Sequence, residues 1–176
     1  MFANPKKNIA QLGLREGMRV ADFGAGAGHY LKPLSEQVGI TGKVYGIEVQ
    51  KDMVKKLESQ IKEWGISNVE CIWGDIERDG GTKIAKHSMD AVVVSNVLFQ
   101  VSDKLGLIDE VKRVLKPDAK VLLVDWSESF NGMGPAPMHV VSEKQAEDLF
   151  EGRGFILTEK ISSSDHHYGI IFTYKG

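Results

Sequence analysis

The sequence predicts one α/β domain built on a doubly wound, largely parallel sheet, and three observations predict it. Strand-like apolar runs alternate along the 176 residues with segments of helical period, which is the pattern of successive βαβ units. The first strand-like run passes straight into a glycine turn, Gly24-Ala25-Gly26-Ala27-Gly28, of the kind that opens ligand sites at the carboxyl edge of such sheets. The last two strand-like runs are separated only by Ser163 to His166, a connection so short that it makes them antiparallel.

Taken in order, the segment from about Pro5 to Leu12 reads as a short helix ahead of the first strand, Met18 to Phe23. A helix follows from Ala27 to Val38, with Tyr30, Leu34 and Val38 on one face at four-residue spacing. Lys43 to Glu48 is the second strand. The helix from about Asp52 to Trp64 carries Met53, Leu57, Ile61 and Trp64 in a stripe and ends at Gly65. Val69 to Gly74 and Met89 to Ser95 are the third and fourth strands, separated by a charged loop, Asp75 to Ser88, with room for a short helix. From Asp103 to Lys116 a helix turns Leu105, Ile108, Val111 and Leu115 inward until Pro117 stops it. Lys120 to Trp126 is the fifth strand. Ser142 and Gln145 form a capping box, with Val141 and Ala146 able to staple across it, and open a helix reaching about Gly152. Phe155 to Ser162 and His167 to Tyr174 close the chain as strands. The long segment from Ser127 to Val141 holds Gly132, Gly134, Pro135 and Pro137, and segments of that length in compact domains are usually functional or disordered.

The length suits one domain over residues 1–176. A net charge of −2, with lysines interspersed among acids, creates no field for a polyanion and argues against a nucleic-acid partner. Cys71, the only cysteine, leaves no internal disulfide to form and reads as a buried thiol in a reducing compartment. Residues Met1 to Lys7 lack an apolar leader, and no later run has the length of a membrane span, so a cytoplasmic protein without a membrane span is expected. Nothing here constrains the oligomeric state.

The glycine spacing narrows the ligand. A dinucleotide fingerprint needs Gly-x-Gly-x-x-Gly, but His29 stands at the third glycine position and Gly28 comes one residue early. No Lys-Ser/Thr pair follows, as a phosphate-binding loop requires, and the loop itself has no cation. Asp22, two residues before Gly24, places a carboxylate at the strand's carboxyl end instead. A cationic ligand suits that arrangement. S-adenosylmethionine fits, being a sulfonium with an ammonium group, and its carboxylate can face the amino end of the helix expected near Ala27.

With these residues in place, the chain resembles the class I S-adenosylmethionine-dependent methyltransferases over nearly its whole length. Asp22 to Gly28 resembles the family's first motif, and Gly46-Ile47-Glu48-Val49 its second strand, ending in the acid that takes the ribose hydroxyls. Gly74-Asp75-Ile76 is similar to the stretch that contacts the adenine, Met89 to Leu98 to the fourth-strand motif, and Glu110 to Pro117 to the lead into strand five. The resemblance implies a Rossmann-like seven-stranded sheet in the order 3-2-1-4-5-7-6 with only the last strand reversed. It also implies a cofactor set of Asp22, Gly24, Ala25, Gly26, Gly28, Glu48, Val49, Asp75, Ile76 and Ser95. Val49 is placed to pack on the adenine or in the core. The family's two glycines after Lys-Pro are here Asp118-Ala119, and aspartate can hold the left-handed turn they provide.

In-line methyl transfer needs geometry more than a nucleophilic side chain. A general base is required only where the acceptor must shed a proton, and His29, Asp125 and His139 are the candidates for it. His29 and Tyr30 are placed to wall the acceptor site. Asp125 is at the ligand edge of strand five, where it can also simply bond a neighbouring loop. His166 and His167 read as solvent-exposed turn residues, and with no third ligand at metal spacing no metal site is expected. Phe99, Trp126, Phe130, Met133 and Met138 give the expected acceptor surface an apolar character, pointing to a small apolar or aromatic molecule. A protein or RNA acceptor, a nicotinamide-dependent oxidoreductase and a non-catalytic cofactor-binding module of the same fold remain alternatives.

Overall fold

The computed structural model describes residues 4–176; the first three residues of the amino-terminal segment read above lie outside them. Seven strands form one sheet: β1 (Arg19–Phe23), β2 (Lys43–Glu48), β3 (Val69–Trp73), β4 (Met89–Ser95), β5 (Leu115–Trp126), β6 (Phe155–Ser164) and β7 (His167–Tyr174). Their order is β3-β2-β1-β4-β5-β7-β6. The pairs from β3 across to β5 are parallel, and β7 runs antiparallel to both β5 and β6. This is the order and the single reversal that the resemblance implied.

The helices are α1 (Pro5–Leu12), α2 (Leu31–Val38), α3 (Lys51–Glu63), α4 (Lys104–Val114) and α5 (Glu143–Glu151). Alternation along the buried strands sends Val20, Val44, Val93 and Leu122 to one face, where Ile9, Leu34 and Leu57 from α1, α2 and α3 cover them. Phe23, Val92, Val94 and Leu123 face the other way onto Leu107, Ile108 and Val111 of α4 and Phe150 of α5. Caps fix the helix ends. Asn4 Oδ1 accepts from the Lys7 amide at 3.2 Å and Asp103 from the Gly106 amide at 2.8 Å. The Ser142–Gln145 capping box closes reciprocally, above buried Val141 and Ala146.

Four local expectations are corrected. The helix placed at Ala27 begins at Leu31, because Gly28 sits at φ 78°, outside helical space. The helix expected to reach Lys116 ends at Val114, since the residue before a proline is driven to extended geometry, and β5 starts at Leu115 rather than Lys120. Leu105, expected inward, is 42% exposed; it lies in the first turn of α4, off the stripe that Leu107, Ile108, Val111 and Val114 bury. Residues 75–88 form turns with no helix. The aspartate substituted for glycine holds its turn: Asp118 has φ 61°.

Candidate active site

The carboxyl ends of β1, β2 and β4 open onto a cavity of about 960 Å³, a size suited to a cofactor and a small acceptor together. Of the ten residues expected to bind the cofactor, Asp22, Gly24, Ala25, Gly26, Glu48, Val49, Asp75, Ile76 and Ser95 all line it. Gly28 lies behind the loop, where a Cβ would stand 2.7 Å from Leu57 Cδ2, so its part is to let α3 pack closely against the turn. Gly24 is at φ 78°, and a Cβ there would come within 2.5 Å of Val97 Cγ2. The amides of Gly24 and Ala25 both donate to Ile47 O at 2.9 Å, which pins the turn to the end of β2.

Glu48 is buried at the end of β2 and clamps two loops. Its Oε2 accepts from the Gly26 amide at 3.1 Å and its Oε1 from the Gln50 amide at 2.9 Å. Each carboxylate oxygen keeps a second lone pair, and Glu48 itself lines the cavity. Asp22 is 3% exposed and its carboxyl has no hydrogen-bond partner among the described residues. Burial, with the Glu48 charge adding to it, pushes its pKa up to about 7. Asp75 Oδ1 accepts from the Glu77 amide at 3.0 Å, and its Oδ2 pairs with Arg78 at 3.0 Å, so the carboxylate shapes its own turn and presents Ile76 to the cavity. Val49 is 59% exposed on the cavity rim, which removes the core reading of that residue.

These residues fit S-adenosylmethionine on chemical grounds. The cavity is lined by the carboxyl groups of Asp22, Glu48, Asp75 and Glu77 and by one lysine, Lys6, which is itself paired with Glu36 at 3.1 Å. An unpartnered buried carboxyl is costly unless a cation meets it. The clamped glutamate offers acceptors for a diol, and Val49 and Ile76 offer apolar flanks for a flat ring.

The expected catalytic residues are scattered. His29 is exposed on the cavity rim. Asp125 is 1% exposed and accepts from the Trp126 amide at 2.7 Å and the Phe99 amide at 3.4 Å, so it ties β5 to the segment after β4 rather than lining the cavity. Burial raises its pKa to about 6 against those amides. His139 lies in a separate cleft with Phe99, Leu105, Met138 and Leu149. Of the apolar acceptor surface only Trp126 reaches the cavity; Phe130 stacks on His166 at 3.8 Å between centroids and Met138 is 85% exposed. The apolar lining of the cavity comes instead from residues including Tyr30, Pro33, Val97, Val101 and Trp126.

Sequence reasoning missed three residues here. His167, read as exposed, is 6% exposed and lines the cavity. The hairpin turn is only Asp165-His166 because β6 runs on to Ser164, and His167, first residue of β7 as expected, has Trp126 as its register partner. Asn8 of α1 is buried and donates to Tyr30 Oη at 2.9 Å and Ser163 Oγ at 3.2 Å. Asn96, left-handed at φ 56°, lines the cavity with its Oδ1 buried and unpartnered. The signal for Asn96 was available, since asparagine directly after a parallel strand is a residue that tolerates such geometry.

The comparisons with known proteins place the chain in a family. A family model described as "Methyltransferase domain" matches residues 14–170. A S-adenosylmethionine-dependent methyltransferase from Aquifex aeolicus has a similar structure, with a TM-score of 0.89 and 31% identity over 98% of this chain and 90% of that one. A demethylmenaquinone methyltransferase of Lactococcus lactis is 30% identical over 69% of this chain and 47% of its own length. A ubiquinone/menaquinone biosynthesis C-methyltransferase of Cupriavidus necator is 30% identical over 68% of this chain and 48% of its own. The chain thus spans about half the length of the curated relatives it matches. It belongs to the methyltransferase-domain family, within the class I S-adenosylmethionine-dependent methyltransferases, and the nicotinamide alternative falls. Among the described residues, no helix is long and apolar enough to cross a membrane.

Proposed function

We propose that this protein transfers the methyl group of S-adenosylmethionine to a small, apolar, aromatic acceptor, with a quinol-type ring as the best-supported class. The observation that carries the reading is the pairing, in one cavity, of a buried unpartnered carboxyl at Asp22 with the two-amide clamp at Glu48. The acceptor class is supported by the apolar wall of Tyr30, Val97, Val101 and Trp126, and by the quinone-directed names of the relatives.

The cofactor supplies a methyl group already activated on a sulfonium. Glu48 accepts the ribose hydroxyls, held in place by the Gly26 and Gln50 amides. Asp22 meets the cationic end, and the negative lining as a whole favours a positive ligand over the neutral thioether left after transfer. Val49 and Ile76 flank the adenine. Tyr30 and Trp126 hold the acceptor ring and exclude water, so that most of the rate gain comes from holding two reactants in line.

Removing the clamp tests the site. Glu48→Ala loses charge-assisted hydrogen bonds worth about 1.5–3 kcal/mol each, so calorimetric affinity for S-adenosylmethionine should fall at least about tenfold. A folded variant that binds as tightly as the parent sinks the assignment. The acceptor class is tested by supplying methyl-labelled cofactor with a cell extract and partitioning the product: label in the organic phase supports an apolar acceptor, and label confined to water-soluble product or to protein refutes it.

A further inference from the structure

Methyl transfer from a sulfonium to a neutral acceptor through an O–H, a ring C–H or an N–H bearing nitrogen gives a neutral product only when a proton is shed. The carbon–sulfur bond breaks with its electron pair left on sulfur, the acceptor gains the methyl, and the hydrogen it carried leaves as a cation. For such an acceptor, a group in the cavity able to take that proton speeds the transfer. Most of its ionisable side chains are committed. Glu48 is bound by two amides, Asp75 is paired with Arg78, Glu77 Oε2 accepts from the Asp103 amide at 2.6 Å, and Asp22 lies beside the glycine turn. His29 is exposed at the rim.

His167 differs from all of these. It is buried in the wall beside Trp126, ring centroids 4.2 Å apart, and its Nδ1 lies 2.9 Å from Ser164 Oγ. Its Nε2 has no hydrogen-bond partner among the described residues, although the ring lines the cavity. When Nδ1–H donates to Ser164, Nε2 carries the free lone pair, and the same bond and the Trp126 ring fix the imidazole's orientation.

We propose that His167 is the catalytic base of the acceptor end, taking the acceptor's O–H or N–H proton on Nε2. The inference rests on the methyltransferase reading above. As the acceptor oxygen or nitrogen, or a ring carbon conjugated with it, bonds to the methyl carbon, the X–H proton passes to Nε2. Where the carbon is methylated, the resulting dienone becomes aromatic again as that carbon's hydrogen leaves as a proton and the oxygen takes one up. The resulting imidazolium then releases it to water. Burial lowers the His167 pKa from its ordinary value, with the neighbouring His166 adding to the effect, so the ring is neutral and able to accept at pH 7.

The test compares the parent with His167→Gln and His167→Ala, using methyl-labelled S-adenosylmethionine and a low-molecular-mass cell extract, so that the acceptor's identity is not assumed. General-base catalysis is worth about 10²–10⁴-fold. His167→Gln should lose at least about a hundredfold in transfer while calorimetric cofactor affinity and thermal midpoint stay close to the parent's. Added imidazole should restore part of the activity of His167→Ala. The proposal is overturned if His167→Gln transfers at the parent's rate, if cofactor affinity falls together with activity, or if imidazole restores nothing. Label entering only a water-soluble acceptor, with His167→Gln still inactive, refutes the apolar acceptor and supports His167. A parent that labels nothing in the extract overturns both.

Discussion

Asp22→Asn should make the ligand-free protein more stable at pH 8 while sharply weakening its hold on S-adenosylmethionine. The carboxyl has an ordinary value of 3.8 and about 7 when buried in the fold. Between those values the folded state keeps a proton that the unfolded state has shed, so the stability this group contributes is full below pH 3.8 and is lost as pH rises through about 7. The difference corresponds to roughly 4 kcal/mol. Asparagine has the same shape and no charge to desolvate, and the parent's fall in stability over that range should be nearly absent in the variant. Denaturant unfolding from pH 4 to 8 measures it; parallel curves for the two proteins would discard the idea. In the parent, a cationic ligand draws the proton off Asp22, so cofactor affinity should rise with pH and level off above about 7. Asp22→Asn should show no such rise.

The second large effect is expected away from the cavity, at Glu110 on α4. Its Oε1 accepts from the Thr82 amide at 3.1 Å and its Oε2 from the Gly80 amide at 2.8 Å, and Arg113 Nε donates to Oε2 at 2.6 Å. This carboxylate ties down the turn that carries Asp75 and Ile76 to the cavity. Burial works to raise its pKa, but the bonds from Arg113, Thr82 and Gly80 prevail and hold it below the ordinary range. Glu110→Ala leaves the half-buried Arg113 with a 3.2 Å bond to Thr82 Oγ1 and a 3.8 Å contact to exposed Asp79 and strips the Gly80 and Thr82 amides of their acceptor, and breaking a buried pair on one side costs up to about 3–5 kcal/mol. Because the Glu110 pKa is depressed in the fold, the loss should be full at neutral pH and shrink as pH falls through the folded value. Cofactor affinity should drop as well, through the adenine side. Equal stability of parent and variant at pH 7 would refute the account.

The strands and the glycine turn were legible because they depend on local signals. Val20, Ala21 and Phe23 are buried around Asp22 in a run that ends in glycines, and three left-handed glycines have few other uses. Strand order was not visible in periodicity at all and came from the resemblance. The glutamate clamp was half legible: position marked Glu48 as a ligand residue, but its bonds to Gly26 and Gln50 join residues whose proximity only the β1–β2 register creates. His167 was placed correctly as the first residue of the last strand but read as exposed with its neighbour His166, because adjacency to a turn says nothing of which face a strand-end side chain takes. Its pairing with Trp126 across β5 and β7 puts it in the cavity wall. Asp125 and His139 sat on plausible edges of the sequence map, and only packing distinguishes the inside of a cavity from the region beside it.

The glycine turn has a consequence for the kinetics of ligand capture. Its amides at Gly24, Ala25 and Gly26 are already hydrogen-bonded to Ile47 and Glu48, so the incoming molecule meets a cradle with its entropy of ordering already spent in folding. Capture at that end needs no slow loop closure, and its rate is set by diffusion into a negatively lined mouth. It should therefore slow as added salt screens the attraction for a cation.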